Sequence, residues 1–342
     1  MGVDTNASTK NKLKVDYVFT DAENQLLTNK FLELKCNPYE DYTSFRSEIE
    51  NIVENDVEIK DIVEKIKAAG NRIWKEEPYL YLQNCPIDKN VPIFDHESPV
   101  QSKRELKKTY VGEGFLQFYA QVMEMPAIGY INVNDGDVFQ DIYPMKSLSE
   151  TQSQKALVAL GFHKDLANHF VRPDFVNMLS MRAYEGNQIF TTFVKNIDLI
   201  QKLDPSDLNL MRQELFYTPF DDLSTYGNRT ELGRAKNHAI LLNEEEFDIA
   251  YFENRTVGLT EEAQGVVDKL KVLLHELKAP HLLKAGEFIS LSNNHSIHGK
   301  DVEEITDVEK QRTRWIMKTV NLWSLEEHKK HYVDGTDCIV NG

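Results

Sequence analysis

The chain changes texture at Pro126, and that change restricts the fold more than any other feature of its 342 residues. Before it, apolar residues recur at helical spacing. Phe45, Ile49, Ile52, Val53, Ile59, Ile62, Val63 and Ile66 predict one or two amphipathic helices over 45–69, stopped by Gly70-Asn71. Phe115, Phe118, Tyr119 and Val122 predict another, running from Arg104 towards Met123. After Pro126 come short apolar runs bounded by turn residues, at 127–133, 138–143, 176–183, 189–194, 239–242, 288–291 and 315–322, with Asn134-Asp135-Gly136 as a turn between the first two. Two helical stretches interrupt them: 206–216, after Asp204-Pro205, and 260–277, with Thr260 as N-cap and Glu261 and Glu262 in its first turn. The pattern predicts an α+β chain, an antiparallel barrel or sandwich with helices outside. The first 35 residues give weak signals only. Without an internal repeat, a low-complexity linker or a dinucleotide-type glycine fingerprint, 1–342 reads as a single domain. Its residues 1–125 are mainly helical, and 126–325 form the strand core with helical insertions at 205–217 and 260–278.

Charge and thiols narrow the function. The 39 Lys and Arg against 55 Asp and Glu give a formal charge of −16. Nucleic-acid binding rests on cations that neutralise phosphates, and the chain has no dense basic run with interleaved aromatics, so no nucleic-acid partner is expected. The balance permits a cationic small substrate. No stretch reaches the roughly 18 uncharged apolar residues of a membrane helix, and the polar start offers no apolar core for a secretion signal, so a cytoplasmic protein without a membrane partner is expected. Cys36, Cys85 and Cys338, odd in number and widely spaced, fit reduced thiols better than a disulfide frame or a four-thiolate zinc site.

Gly161-Phe162-His163-Lys164-Asp165 is the most informative segment. A second histidine cluster lies far downstream at Asn293-Asn294-His295-Ser296-Ile297-His298-Gly299-Lys300. In extended backbone residues i and i+2 point the same way, so His163 and Asp165 can bind one ion together. A third ligand from a distant strand completes a face of two histidines and one carboxylate and leaves three positions open, the arrangement of non-haem Fe(II) sites. An isolated H-x-D dipeptide also arises by chance. The context adds weight: Lys284-Ala285-Gly286-Glu287 reads as a turn feeding a strand, the cluster follows, and Arg312-Thr313-Arg314-Trp315 opens the next strand, where an arginine can pair bidentately with a dicarboxylate.

Over about 127–323 the chain resembles the clavaminate-synthase-like branch of the Fe(II)/2-oxoglutarate-dependent oxygenases, which includes hydroxylases of free arginine and lysine. The matching pieces are Phe139-Gln140-Asp141-Ile142-Tyr143-Pro144, the Gly-Phe-His-x-Asp run, Arg172-Pro173-Asp174-Phe175, Asn293-Asn294-x-x-x-His298-Gly299-Lys300 and Thr313-Arg314-Trp315. Within the branch the likeness is greatest to bacterial L-lysine hydroxylases, particularly the 4-hydroxylating group. The resemblance implies a double-stranded β-helix, a cupin-like jelly-roll with N-terminal and inserted helices outside it. It implies Fe(II), 2-oxoglutarate and O2 as the reacting set, giving succinate, CO2 and a hydroxylated free basic amino acid, L-lysine at C4. L-arginine or another cationic amino acid is the alternative. A metal-binding jelly-roll that is not an oxygenase is the third reading, and Arg314 speaks against it, because such a protein needs no dicarboxylate anchor.

Carried over residue by residue, the resemblance makes His163, Asp165 and His298 the iron ligands. Arg314 pairs with the distal carboxylate of 2-oxoglutarate, aided by the Thr191 hydroxyl, with Thr192 as the choice one register step away. His295 is a decoy three residues before His298. Asp165 departs from the Glu of many arginine hydroxylases, and Lys318 stands where the branch commonly has a second arginine facing the substrate carboxylate. In 246–251 one acid of an expected pair remains, Asp248, which suits a compact ammonium; Gln140 is a contact to the α-amino or carboxylate group. The segment 217–228 has the aromatics, acids and Gly/Asn of a lid. The helices before residue 126 serve either a homo-oligomer interface or only the outside of the barrel.

Overall fold

The computed structural model describes residues 13–148, 157–167, 169–220, 235–243 and 247–341. Helices dominate up to residue 122. The weak opening holds α1, Asp21–Leu32, whose signal is its start: Thr20 Oγ1 accepts from the Glu23 amide at 3.2 Å, and the Glu23 carboxylate accepts from the Thr20 amide at 2.8 Å. Thr20→Ala is expected to cost about 1 kcal/mol, read as a lower urea midpoint at unchanged slope; an unchanged midpoint would show that the cap contributes nothing.

The periodicity over 45–69 is two helices, α2 at Tyr42–Asn55 and α3 at Lys60–Gly70, parted where Asp56 turns extended. The single helix expected from Arg104 is likewise two, α4 at Pro99–Leu106 and α5 at Val111–Val122. Nothing local caps α5. Asp88 does so from a distant loop, accepting from the amides of Val111 at 3.1 Å and Gly112 at 2.9 Å. The same carboxylate meets Lys107 Nζ at 2.9 Å, and Lys107 also meets Glu113 at 2.6 Å, while Glu113 accepts from the Tyr39 hydroxyl at 2.6 Å. Lys107 and Glu113 are buried. Burial alone would lower the Lys107 ammonium, but the two acids hold it above its ordinary value.

Ten strands form most of the two main sheets: β1 Tyr79–Gln83, β2 Ala127–Tyr130, β3 Gln140–Ile142, β4 Leu160–His163, β5 Phe175–Arg182, β6 Gln188–Lys195, β7 Ala279–His281, β8 Phe288–Ser292, β9 Ser296–Glu304 and β10 Trp315–Asn321. The larger sheet runs Tyr17–Val18, β1, β8, β5, β10, β2, Ile339–Val340, with β3 also pairing β10; the smaller runs β7, β6, β9, β4. Pairing is antiparallel except where Tyr17–Val18 and Ile339–Val340 join parallel at the edges of the larger sheet. The architecture is thus α+β. The turn expected at 134–136 forms, with Asn134, Asp135 and Gly136 all at positive φ, 50°, 58° and 92°. The run expected at 239–242 shrinks to Leu241–Asn243, which pairs with Asp248–Ile249.

One apolar cluster joins the N-terminal helices to the larger sheet. A second seats the inserted helices, α6 at Pro205–Met211 and α7 at Glu261–Leu277, against Phe162, Val194 and Ile297 of the smaller one. Thr260 caps α7 as expected, accepting from the Ala263 amide at 3.1 Å. Between the sheets lies a pocket walled by Val176, Met178 and Ile316 from one and Leu160, Thr191 and Gly299 from the other. Period-two alternation makes it: on β10, Ile316 and Lys318 face the pocket while Trp315 and Met317 face the first core.

Candidate active site

Two neighbouring strands of the smaller sheet bring the expected ligands together. His298 on β9 is the register partner of His163 on β4, and their ring centroids lie 4.4 Å apart. Asp165, just beyond β4, places Oδ1 at 3.3 Å from His163 Nε2 and 3.5 Å from His298 Nε2. One ligand atom of each residue lies within 4.8 Å of the others, and all three residues are buried. A first-row ion bound at about 2.1 Å keeps adjacent ligands about 3 Å apart, so the three need only a small inward shift.

The imidazoles are oriented by their surroundings. His163 Nδ1 lies 2.9 Å from the Gly161 carbonyl, which can only accept, so Nδ1 carries a proton and Nε2 is the nitrogen turned towards Asp165. The His163 ring stacks on Phe252, centroids 5.0 Å apart. Burial, then the charge of His163, lowers the His298 pKa and favours the neutral, ligating form. Burial would raise Asp165, but the Lys318 ammonium at 2.9 Å and then the two imidazoles hold its carboxyl well below the usual range.

Asn293 holds the backbone of this loop. Its Oδ1 accepts from the Asp165 amide at 3.0 Å, and its Nδ2 donates to the carbonyls of Asp165 at 3.1 Å and Pro173 at 2.8 Å. These bonds brace a turn in which the next residue, Leu166, has φ of 52°. His295 faces elsewhere, with Nδ1 2.7 Å from Ser292 Oγ.

At the other end of the pocket stand Thr191, Lys300 and Arg314. Thr192 takes the opposite face and is fully buried, and Thr191 is the one of the two that lines the pocket. Arg314 is 9 % exposed, and its guanidinium has no acid partner among the described residues; burial pushes it down to about 10. Burial and then the Arg314 charge push the Lys300 ammonium down to about 7. The sequence reading gave Lys300 no role, although period-two spacing from His298 puts both on one face.

Gln140 is buried opposite Lys318 in the β3–β10 pairing and shares its strand face with Ile142, a pocket residue. Asp248 sits apart from the pocket lining. Its Oδ1 is paired with the buried Lys164, and its Oδ2 lies 3.7 Å from Arg172, which is partly exposed. Lys164 also donates to Asn294 Oδ1 at 2.9 Å. Sequence reading had not foreseen that Asp248 meets two cations of its own chain. Of the lid segment 217–228, positions 221–228 lie outside the described residues, as does Glu246 of the 246–251 stretch.

No family model matches the chain. Among curated proteins it is similar to clavaminate synthase 2 of Streptomyces clavuligerus, 26% identical over 171 residues, 46% of this chain and 51% of the relative. L-asparagine oxygenase of Streptomyces coelicolor is 25% identical over 219 residues, 61% of this chain and 63% of the relative. The matches therefore span between a half and two thirds of those relatives. Among solved structures, asparagine oxygenase in complex with Fe(II), 2S,3S-3-hydroxyasparagine and succinate superposes with a TM-score of 0.80 at 18% identity, covering 96% of this chain and all of that one, 100%. The non-heme iron oxygenase OrfP in complex with Fe and alpha-ketoglutaric acid gives 0.73 at 15% identity over 95% and 99% of the two chains. This chain shares their fold.

Proposed function

We propose that the chain is an Fe(II)- and 2-oxoglutarate-dependent dioxygenase on a double-stranded β-helix core, and that it hydroxylates an unactivated C–H bond of a free amino acid, L-lysine at C4. The observation that carries the reaction class is the convergence of His163, Asp165 and His298 at one end of a pocket whose other end holds Arg314 and Thr191. The structural neighbours support an amino-acid substrate: one holds 3-hydroxyasparagine and succinate, and OrfP has been solved with (3S)-hydroxy-L-Arg. The lysine reading rests on the sequence resemblance; Asp248, the acid the resemblance offers for the substrate ammonium, is paired in the structure with Lys164 and lies 3.7 Å from Arg172.

Fe(II), when bound, activates O2 for the decarboxylation of 2-oxoglutarate to succinate and CO2 and for transfer of hydroxyl to the substrate carbon. The protein supplies the rest. His163 and His298 would each hold the ion through a ring nitrogen, and Asp165 would supply the anionic ligand. Arg314 offers a planar fork to the distal carboxylate, and Thr191 a hydroxyl. Lys318 and Gln140, opposite each other on β10 and β3, face the amino-acid carboxylate and α-amine. The apolar walls keep water from the reacting centre.

Anaerobic addition of Fe(II) and 2-oxoglutarate is expected to give a visible charge-transfer band. With O2 and a panel of lysine, arginine and asparagine, mass spectrometry is expected to show one added oxygen on lysine. Product from arginine or asparagine alone would overturn the lysine assignment; no band and no product would overturn the oxygenase reading.

A further inference from the structure

We propose that Lys300 is a second cationic anchor for the distal carboxylate of the cosubstrate, acting beside Arg314 and Thr191; the inference rests on the oxygenase reading above. Its basis is placement. In the β9–β6 pairing Lys300 lies directly opposite Thr191, so the two side chains leave the same face as cross-strand neighbours. On its own strand Lys300 follows His298 by two residues, which places the two side chains on one face roughly 7 Å apart along the strand. That is the span of a C5 diacid laid with its keto-acid end at the metal ligands and its far carboxylate at the ammonium.

Arg314 reaches the same end of the pocket from the opposite sheet, on the face that also carries Ile316 and Lys318. At this end of the pocket the smaller sheet contributes Lys300 and the larger side Arg314, and the pocket between them is walled by Leu160, Val176 and Met178. The two cations do different work. A guanidinium fork takes two carboxylate lone pairs in one plane, and a compact ammonium can take a remaining lone pair from another direction. An anion removed from water into such a cleft needs that fuller set of donors, because unsatisfied carboxylate lone pairs are costly there. The arrangement selects for a second carboxylate at fixed reach from the first, so 2-oxo monoacids fit the metal end without engaging Lys300.

The test compares wild type with Lys300→Met, which keeps length and loses charge, and Lys300→Arg, which keeps charge. Each Fe(II)-loaded protein is titrated anaerobically by calorimetry with 2-oxoglutarate and, separately, with 2-oxopentanoate, which has no distal carboxylate. Lys300→Met is expected to weaken 2-oxoglutarate binding about ten- to a hundred-fold, with 2-oxopentanoate affinity and the Fe(II) content unchanged, and Lys300→Arg is expected to recover most of the loss. Equal 2-oxoglutarate affinity in wild type and Lys300→Met would overturn the anchor. Equal loss for both oxo acids would also overturn it, by showing that the lysine only maintains the pocket. A wild type that binds no 2-oxoglutarate would instead overturn the oxygenase reading itself. If circular dichroism shows Lys300→Met unfolded, Lys300→Gln is titrated in its place against the same outcomes.

Discussion

Asp165→Ala is expected to release the metal and abolish turnover while leaving the fold in place. Asp165 is the one anion of the triad, and both imidazoles and Lys318 gather on it. Without it, an incoming dication meets the two imidazoles and the Lys318 ammonium, with no anion of the triad to offset the repulsion. Loss of an outer partner of a metal ligand already costs about 10–100-fold in metal affinity, and loss of a ligand is expected to cost at least that. Iron content after anaerobic loading and dialysis, measured beside hydroxylation of the accepted amino acid, checks this. Asp165→Asn keeps the shape and separates lost charge from lost packing, so both variants should fail to hold iron. Iron retained by Asp165→Ala would remove Asp165 from the ligand set.

Lys107→Met is expected to be the most destabilising of the substitutions considered, at about 3–5 kcal/mol near neutral pH. It strips the cation from between Asp88 and Glu113 and leaves two buried acids facing each other where α5 begins. The penalty should depend on pH with a definite sign. Burial already raises the Glu113 pKa, and loss of Lys107 raises it further. A group whose folded pKa lies above its unfolded value, about 4.3 for Glu, is stabilising below that value and loses the contribution as pH rises through the folded one. The deficit against wild type should therefore be largest near pH 7 and shrink on acidification towards pH 4–5. Urea melts of both proteins at several pH values measure it, and a deficit independent of pH would show that Glu113 is not the group left exposed to the loss.

What could be read before the structure, and what could not, divides by the range of the interactions involved. Strand and helix periods are local, so β5, β6, β8 and β10 lie within a residue or two of where alternation and turn residues put them. The pair His163 and Asp165 was legible because extended backbone alone sets its direction. The place where 45–69 breaks, left by the periodicity as one helix or two, and the division of 99–122 into two were not, because the breaks depend on an extended Asp56 and on a cap for α5 that comes from Asp88, more than twenty positions away. Asp248 shows the same limit: nothing in 246–251 announces Lys164 and Arg172 as its neighbours. Lys300 is the opposite case. Its alternation with His298 was visible, but a lysine beside a histidine cluster has no evident purpose until Arg314 is seen to face it from the other sheet.

The two-sided origin of the pocket sets the order in which it can come into being. His163 and Asp165 precede His298, Lys300, Arg314 and Lys318 by more than 130 positions. During synthesis from the N-terminus, the helical layer and the first strands of both sheets can collapse while neither end of the pocket is complete. A partly made chain has at most two of the three triad residues and none of the basic residues that line the pocket, so on the proposed reading it has little means of capturing iron or a diacid prematurely. The pocket is complete only when β9 and β10 pair between strands that precede them in the chain on either side.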